Sequence, residues 1–187
     1  IPETARLRLV LEIDAMARTR AWIAESGMSL PEVQLLPRLD ASPERLSSTY
    51  SWHHVVCQPS RGEGFGMVGI ESLACGVPIV ATACTGHSQW LTPGLPGAVV
   101  VEHGPDAPID DGPGAMAPTV EPDAIAASLR QAYASWERLN LAAEAHAAAM
   151  RSEWAWERQL APFMQVLKSP VEPDPMASSF TTPYTGD

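Results

Sequence analysis

The sequence predicts an α/β fold in which a parallel sheet is covered by helices on both faces. Three observations carry that expectation. Five short runs, LRLVLEI, VQLLP, HVVCQP, VPIVAT and GAVVV, are apolar almost throughout instead of alternating, the mark of strands buried on both sides. Segments with helical spacing and capping chemistry separate most of them, and strand–helix alternation specifies parallel strands joined by crossovers. Finally, 187 residues with 45% hydrophobic and 18% charged content suffice for one good core.

The first strand is expected over residues 7–13. DAMARTRAWIAESGM then reads as a helix, with Asp14 at its N-cap and Met16, Trp22 and Ile23 on one face. VQLLP (33–37) is the second strand. In SPERLSSTYSW (42–52), Ser42 takes the N-cap and Pro43 the first helical position, where its missing N–H has no helical partner to lose. HVVCQP (54–59) is the third strand. A glycine-rich turn and the helix GMVGIESLAC follow, closed by Gly76, whose residue type readily adopts the left-handed backbone past a helix end. VPIVAT is the fourth strand and GAVVV (97–101) the fifth.

Residues 102–119 are rich in Pro, Gly and Asp and read as loop. Three helical stretches come next. EPDAIAASLRQAYASW has Pro122 at its start and Ile125, Leu129 and Tyr133 on one face; an alanine-rich stretch runs over 139–150; the third carries Trp156, Leu160, Phe163, Met164 and Leu167. Residues 1–168 are expected to form one domain, and the Pro/Ser/Thr-rich 169–187 a disordered tail.

Composition narrows the function. A formal charge of −10 argues against nucleic acid or an anionic membrane as the main partner. The only lysine is Lys168, so neither a Schiff-base nor a P-loop lysine lies within the fold. No apolar run reaches the roughly 18 residues of a membrane span, and no signal peptide is evident. Cys57, Cys75 and Cys84 are expected to be free, buried thiols; Cys75, Cys84 and His87 fit no common zinc-ligand spacing, and no metal site is expected. The pair Asp110–Asp111 reads as a solvated turn, and His53 and His54, flanking a strand, as structural.

The stretch RGEGFGMVGIE (61–71) asks for a different explanation. Open α/β sheets bind ligands at the carboxyl ends of their strands, where this loop lies. Free N–H groups and the positive end of the dipole at a helix N-terminus favour an anion. Gly64 and Gly66 leave backbone uncovered, so phosphate or sugar oxygens can approach its amides. Glu71, about a turn and a half into the helix, can accept hydrogen bonds from vicinal hydroxyls. Arg61 reads equally well as a phosphate contact or a surface loop residue.

PSRGEGFGMVGIESLACGVPIVAT resembles the signature of the retaining GT-B glycosyltransferases of family 4, two glutamates with seven residues between them, here Glu63 and Glu71. SEWAWERQLAPFMQVL is similar to that family's aromatic-x-Trp-Glu helix near the C-terminus. The resemblance implies a Rossmann-like, C-terminal, donor-binding half of a GT-B fold over residues 1–168. It implies a soluble, cytoplasmic hexosyltransferase, free or peripheral at the membrane, whose donor substrate is a nucleotide-diphosphate sugar and which needs no cofactor or metal. Glu71 would bind the ribose, and Glu63, the catalytic assignment, the hydroxyls of the transferred sugar. Gly64, Phe65 and Gly66 would line sugar and phosphates; Thr85, Gly86 and His87 would face the same cleft, and residues 37–40 would border the base. Two departures stand out. Gln89 occupies a position where relatives often have Glu, and the family's acceptor-binding N-terminal domain, with the Arg and Lys that precede the first strand, lies outside this sequence. The chain alone is therefore expected to be inactive without a partner half in the same or another chain. The alternative is a non-catalytic nucleotide-sugar-binding module or partner subunit.

Overall fold

Six-residue strands β1 (Arg6–Leu11) and β2 (Glu32–Pro37) pair in parallel, Arg6 opposite Glu32 and Leu11 opposite Pro37, with α1 (Ile13–Ser26) as the crossover. The computed structural model describes residues 6–11, 13–26, 32–37, 42–109 and 114–169. Helix α1 begins one residue before Asp14, so that aspartate lies in the first turn instead of capping it. Trp22 is exposed rather than on a buried face; Met16 and Ile23 are half-buried.

Helix α2 (Pro43–Ser51) starts as read, with Ser42 in extended backbone and Pro43 in the first turn. The backbone carbonyl of Ser42, not its hydroxyl, takes the first helical bond, from Leu46 N–H at 2.9 Å. A second parallel ladder joins β3 (Val56–Gln58), β4 (Ile79–Thr82) and β5 (Ala98–Val101) in that order. Between β3 and β4 runs α3 (Met67–Ala74). Its end is a Schellman motif: Gly76 N–H bonds Leu73 O and Val77 N–H bonds Ser72 O, both at 2.9 Å, with Gly76 at φ +75°.

The period of two along β4 sends its side chains to opposite faces. Val80, Val99 and Val101 pack with Ala132 and Leu139, joined by Ile125 and Leu129 of α4 (Pro122–Ala134). Ile79 points the other way, toward Gly69 of α3, where Trp90 also lies. Helices therefore cover both faces, as the doubly apolar strands required. Tyr133 of α4 is exposed, and Ser128 and Ala132 are the buried positions on that helix. Helix α5 (Trp136–Glu153) follows, and Ala143 meets Gly97 so closely that a Cβ there would stand 2.6 Å from the alanine methyl.

Residues 102–119 are not all loop. They hold a short antiparallel ribbon, β6 (Asp106–Pro108) against β7 (Met116–Pro118). Asp110 and Asp111 lie outside the described residues, as do 38–40 and 170–187. The chain divides into two compact units, Ile1–Met150 and Arg151–Asp187. In the second, the helix expected as one piece breaks at Leu160 into α6 (Trp156–Gln159) and α7 (Ala161–Lys168), because Pro162 opens a new first turn. Trp156, Phe163, Val166 and Leu167 are exposed there.

Candidate functional site

The site grows from the carboxyl end of β3. After Gln58 the chain turns through Pro59 and Ser60, runs open to Gly66, and enters α3 there with φ +84° and ψ +49°. No side chain caps that end; Gly69 N–H bonds Gly66 O at 3.1 Å, and the amides of Met67 and Val68 come before that first helical bond. The loop lies on the short 3₁₀ turn Thr85–Gln89 that follows β4. Gly86 N–H donates to Glu63 O at 3.0 Å, Glu63 N–H to Thr85 Oγ1 at 2.8 Å, and Trp90 Nε1–H to Phe65 O at 2.8 Å.

Those bonds explain three special residues. A Cβ on Gly86 would overlap the Gly64 carbonyl, so only glycine allows the loop to rest there. A Cβ on Gly66 would overlap the His87 ring, and its left-handed backbone disfavours any side chain as well. Thr85 itself has φ +45°, the only positive value for a non-glycine among the described residues. Such a conformation costs a β-branched residue on the order of 1–3 kcal/mol, and the bonds to its hydroxyl and carbonyl hold it there. Gly64 differs from all of these, because the space where its Cβ would stand is open.

Both glutamates are partly buried and each is held by one oxygen. Glu63 Oε1 accepts from Gln58 Nε2 at 2.7 Å and Ser60 Oγ at 2.8 Å. Glu71 Oε2 accepts from Tyr50 Oη at 2.7 Å. The second oxygen of each takes no hydrogen bond from a described residue. Burial above all, then the bond to Glu71 and its charge, push the Tyr50 phenol far above its ordinary range, so it remains a donor.

His87 is fully buried. Its Nδ1 lies 2.9 Å from Thr82 O, a carbonyl that can only accept, which assigns a proton to Nδ1. Nε2, Thr82 Oγ1 and Gln58 Oε1 are buried and take no hydrogen bond from the described residues. All three belong to the carboxyl ends of β3 and β4 or the turn beyond them, the sheet edge where ligands bind. Cys84 is buried too; its thiol donates to Ser60 O at 3.3 Å, and burial is the first cause that pushes its pKa up.

The sequence-derived candidates Glu63, Gly64, Phe65, Gly66, Thr85, Gly86 and His87 thus form one cluster, and Glu71 stands farther along α3. Arg61 turns elsewhere: its Nε–H donates to Pro118 O at 2.9 Å beside Thr119, Val120 and Glu121. His53 bonds the Thr49 carbonyl through Nδ1 and His54 packs edge-on against Trp136, as structural residues do. Cys57 is exposed rather than buried. Sequence reasoning missed Tyr50, Gln58, Ser60 and Trp90. Gln58 and Ser60 had a signal, two polar side chains flanking Pro59 where an apolar strand ends. No group of three His, Cys, Asp or Glu able to hold a metal occurs among the described residues, nor any helix long and apolar enough to cross a membrane.

Residues 4–135 match the family described as glycosyl transferases group 1. The chain belongs to that family. It is 44% identical over 61 residues to the D-inositol 3-phosphate glycosyltransferase of Kribbella flavida, covering 33% of this chain and 14% of the relative. With the enzyme of the same name from Geodermatophilus obscurus it shares 30% identity over 142 residues, 76% of this chain and 27% of the relative. Anabaena HepE, solved in complex with UDP-glucose, superimposes with a TM-score of 0.59 at 20% identity, over 87% of this chain and 41% of that one. That likeness is one of fold, the GT-B type. This glycosyltransferase-family chain therefore spans less than half of each relative named here.

Proposed function

We propose that this chain binds a nucleotide-diphosphate sugar and forms the donor half of a transferase that passes the sugar to an acceptor with retention at the anomeric carbon. The observation that carries the reading is the pair Glu63 and Glu71, each tethered by one oxygen with the other left for a ligand, on a loop and helix whose N-terminal amides are open. Those amides and the helix dipole meet the diphosphate. Glu71 takes the ribose hydroxyls, Glu63 the hydroxyls of the sugar, and the open side of Gly64 admits the donor to the backbone. A fold neighbour solved with UDP-glucose supports the donor class.

In the reaction the bond from anomeric carbon to diphosphate oxygen breaks, and the acceptor oxygen bonds to that carbon from the same face. The acceptor's proton leaves with the departing phosphate. Amide donors aimed at that oxygen stabilise its growing charge without a cation. The acceptor is held by a second domain, in this chain or another, and the work takes place in the cytoplasm.

Calorimetric titration with UDP, GDP and ADP and their sugar conjugates tests the assignment. Glu71→Ala should weaken diphosphate and donor alike by roughly 10- to 150-fold, the range of a charge-assisted hydrogen bond. Glu63→Ala should weaken only the complete donor. Equal losses for both ligands in Glu63→Ala, or none in Glu71→Ala, would overturn the respective role.

A further inference from the structure

Tyr50 has no role in the reading above, yet it makes the only hydrogen bond found between a described side chain and the Glu71 carboxylate. It sits in the last turn of α2 and is 8% exposed, 21 residues before its partner. That turn is itself fastened, by His53 N–H to Tyr50 O at 2.9 Å and His53 Nδ1–H to Thr49 O at 2.7 Å. The phenol thus reaches Glu71 from a fixed point on a different helix. A glutamate on an exposed helix face samples several rotamers, and a ligand that needs one of them must immobilise it. Here Oε2 is committed inward and Oε1 is left as the oxygen that can take a further donor.

We propose that Tyr50 is a positioning residue for nucleotide binding: it locks the Glu71 carboxylate so that Oε1 is presented to the ribose. The inference rests on the ribose role given to Glu71. A buried tyrosine that merely satisfies its own hydroxyl would stabilise the fold and nothing else. A positioning residue must in addition sharpen discrimination between ligands with and without ribose hydroxyls.

The test is Tyr50→Phe, which keeps the ring and removes the donor. Affinities for UDP, GDP and ADP are measured, each against its 2′,3′-dideoxy form, in wild-type and Glu71→Ala backgrounds. Tyr50→Phe should weaken the ribonucleotide by roughly 2- to 12-fold, the effect of one rotamer-rich side chain ordered on binding, and leave the dideoxy form unchanged. In the Glu71→Ala background Tyr50→Phe should change neither ligand. Both ligands are titrated into one sample, so a lower folded fraction cancels in the ratio of affinities. Equal weakening of both ligands, or no weakening of the ribonucleotide, overturns the proposal. If Glu71→Ala leaves the ratio of ribo to dideoxy affinity at its wild-type value, the ribose role fails first and this inference falls with it. A ratio that collapses in Glu71→Ala but stays intact in Tyr50→Phe sinks this inference alone.

Discussion

Three glycines surround the loop, and an alanine at each should give a different result. At Gly66 the methyl meets two penalties. Left-handed backbone costs an L-residue about 1–2 kcal/mol, and the methyl would overlap the His87 ring, which is fully buried and bonded to Thr82 O. Overpacking of that kind adds about 1–3 kcal/mol. Together they give about 2–5 kcal/mol, which for a domain of this size lowers the melting temperature by about 4–20 °C. In a His87→Ala background the overlap disappears and only the backbone penalty should remain. At Gly86 the methyl meets the Gly64 backbone, which cannot swing aside as a side chain can, so the Gly86–Glu63 bond should be lost and the loop displaced. At Gly64 the methyl enters open space, so the melting temperature should match wild type while affinity for the complete donor falls. Thermal melts and titrations of the three variants decide it. A Gly66→Ala protein that melts like wild type would refute the packing argument, and full donor affinity in Gly64→Ala would refute the approach of a ligand to that backbone.

Three further outcomes are expected. Ser60→Ala removes one of the two donors on Glu63 Oε1 and should weaken the complete donor severalfold while sparing the free nucleoside diphosphate, read by calorimetry. Donor affinity should be the same with and without EDTA; a loss restored by Mn²⁺ would contradict the amide-and-dipole account of diphosphate binding. Folded-state pKa values of Tyr50 and Cys84 are raised, so their contribution to stability is complete below the unfolded values and is lost as pH rises past them. Melting temperature should accordingly fall above about pH 8.5, more steeply above about pH 10, and Tyr50→Phe should flatten the second part of that decline.

Much of this was legible because local rules and tertiary packing agree in the segment 56–82. The apolar strands, the helix between two glycines and the spacing of Glu63 and Glu71 can each be read without knowing what lies opposite. Gly66 shows the limit. Its glycine follows from a helix-entry conformation and from His87, a ring supplied 21 positions later by another strand's turn. Tyr50 was invisible for the same reason: nothing in STYSW says that its hydroxyl points at a carboxylate. In α4 the large side chain misled, because a helix so rich in alanine buries its small face, Ser128 and Ala132, and leaves Tyr133 outside. The β6–β7 ribbon escaped because strands of three residues are too short to show a period.

The proposed function has a chain of net charge −10 receive a diphosphate, which requires the attraction to be local. Screening makes it so. At physiological salt the Debye length is about 8 Å, so exposed carboxylates farther away act weakly, while backbone amides act at hydrogen-bond distance. The N-terminus of α3 presents roughly half an elementary charge through amides that no side chain caps. Donors engage Glu63 Oε1 and Glu71 Oε2, which fixes where the two acids of the signature sit. What remains of each carboxylate is an acceptor suited to hydroxyl groups. On the proposed function, the loop separates the two demands of a nucleotide sugar, anion recognition by backbone and hydroxyl recognition by carboxylate. On that reading, Tyr50, Gln58 and Ser60 hold the two carboxylates in fixed rotamers, so that each offers its second oxygen to a hydroxyl at no further ordering cost.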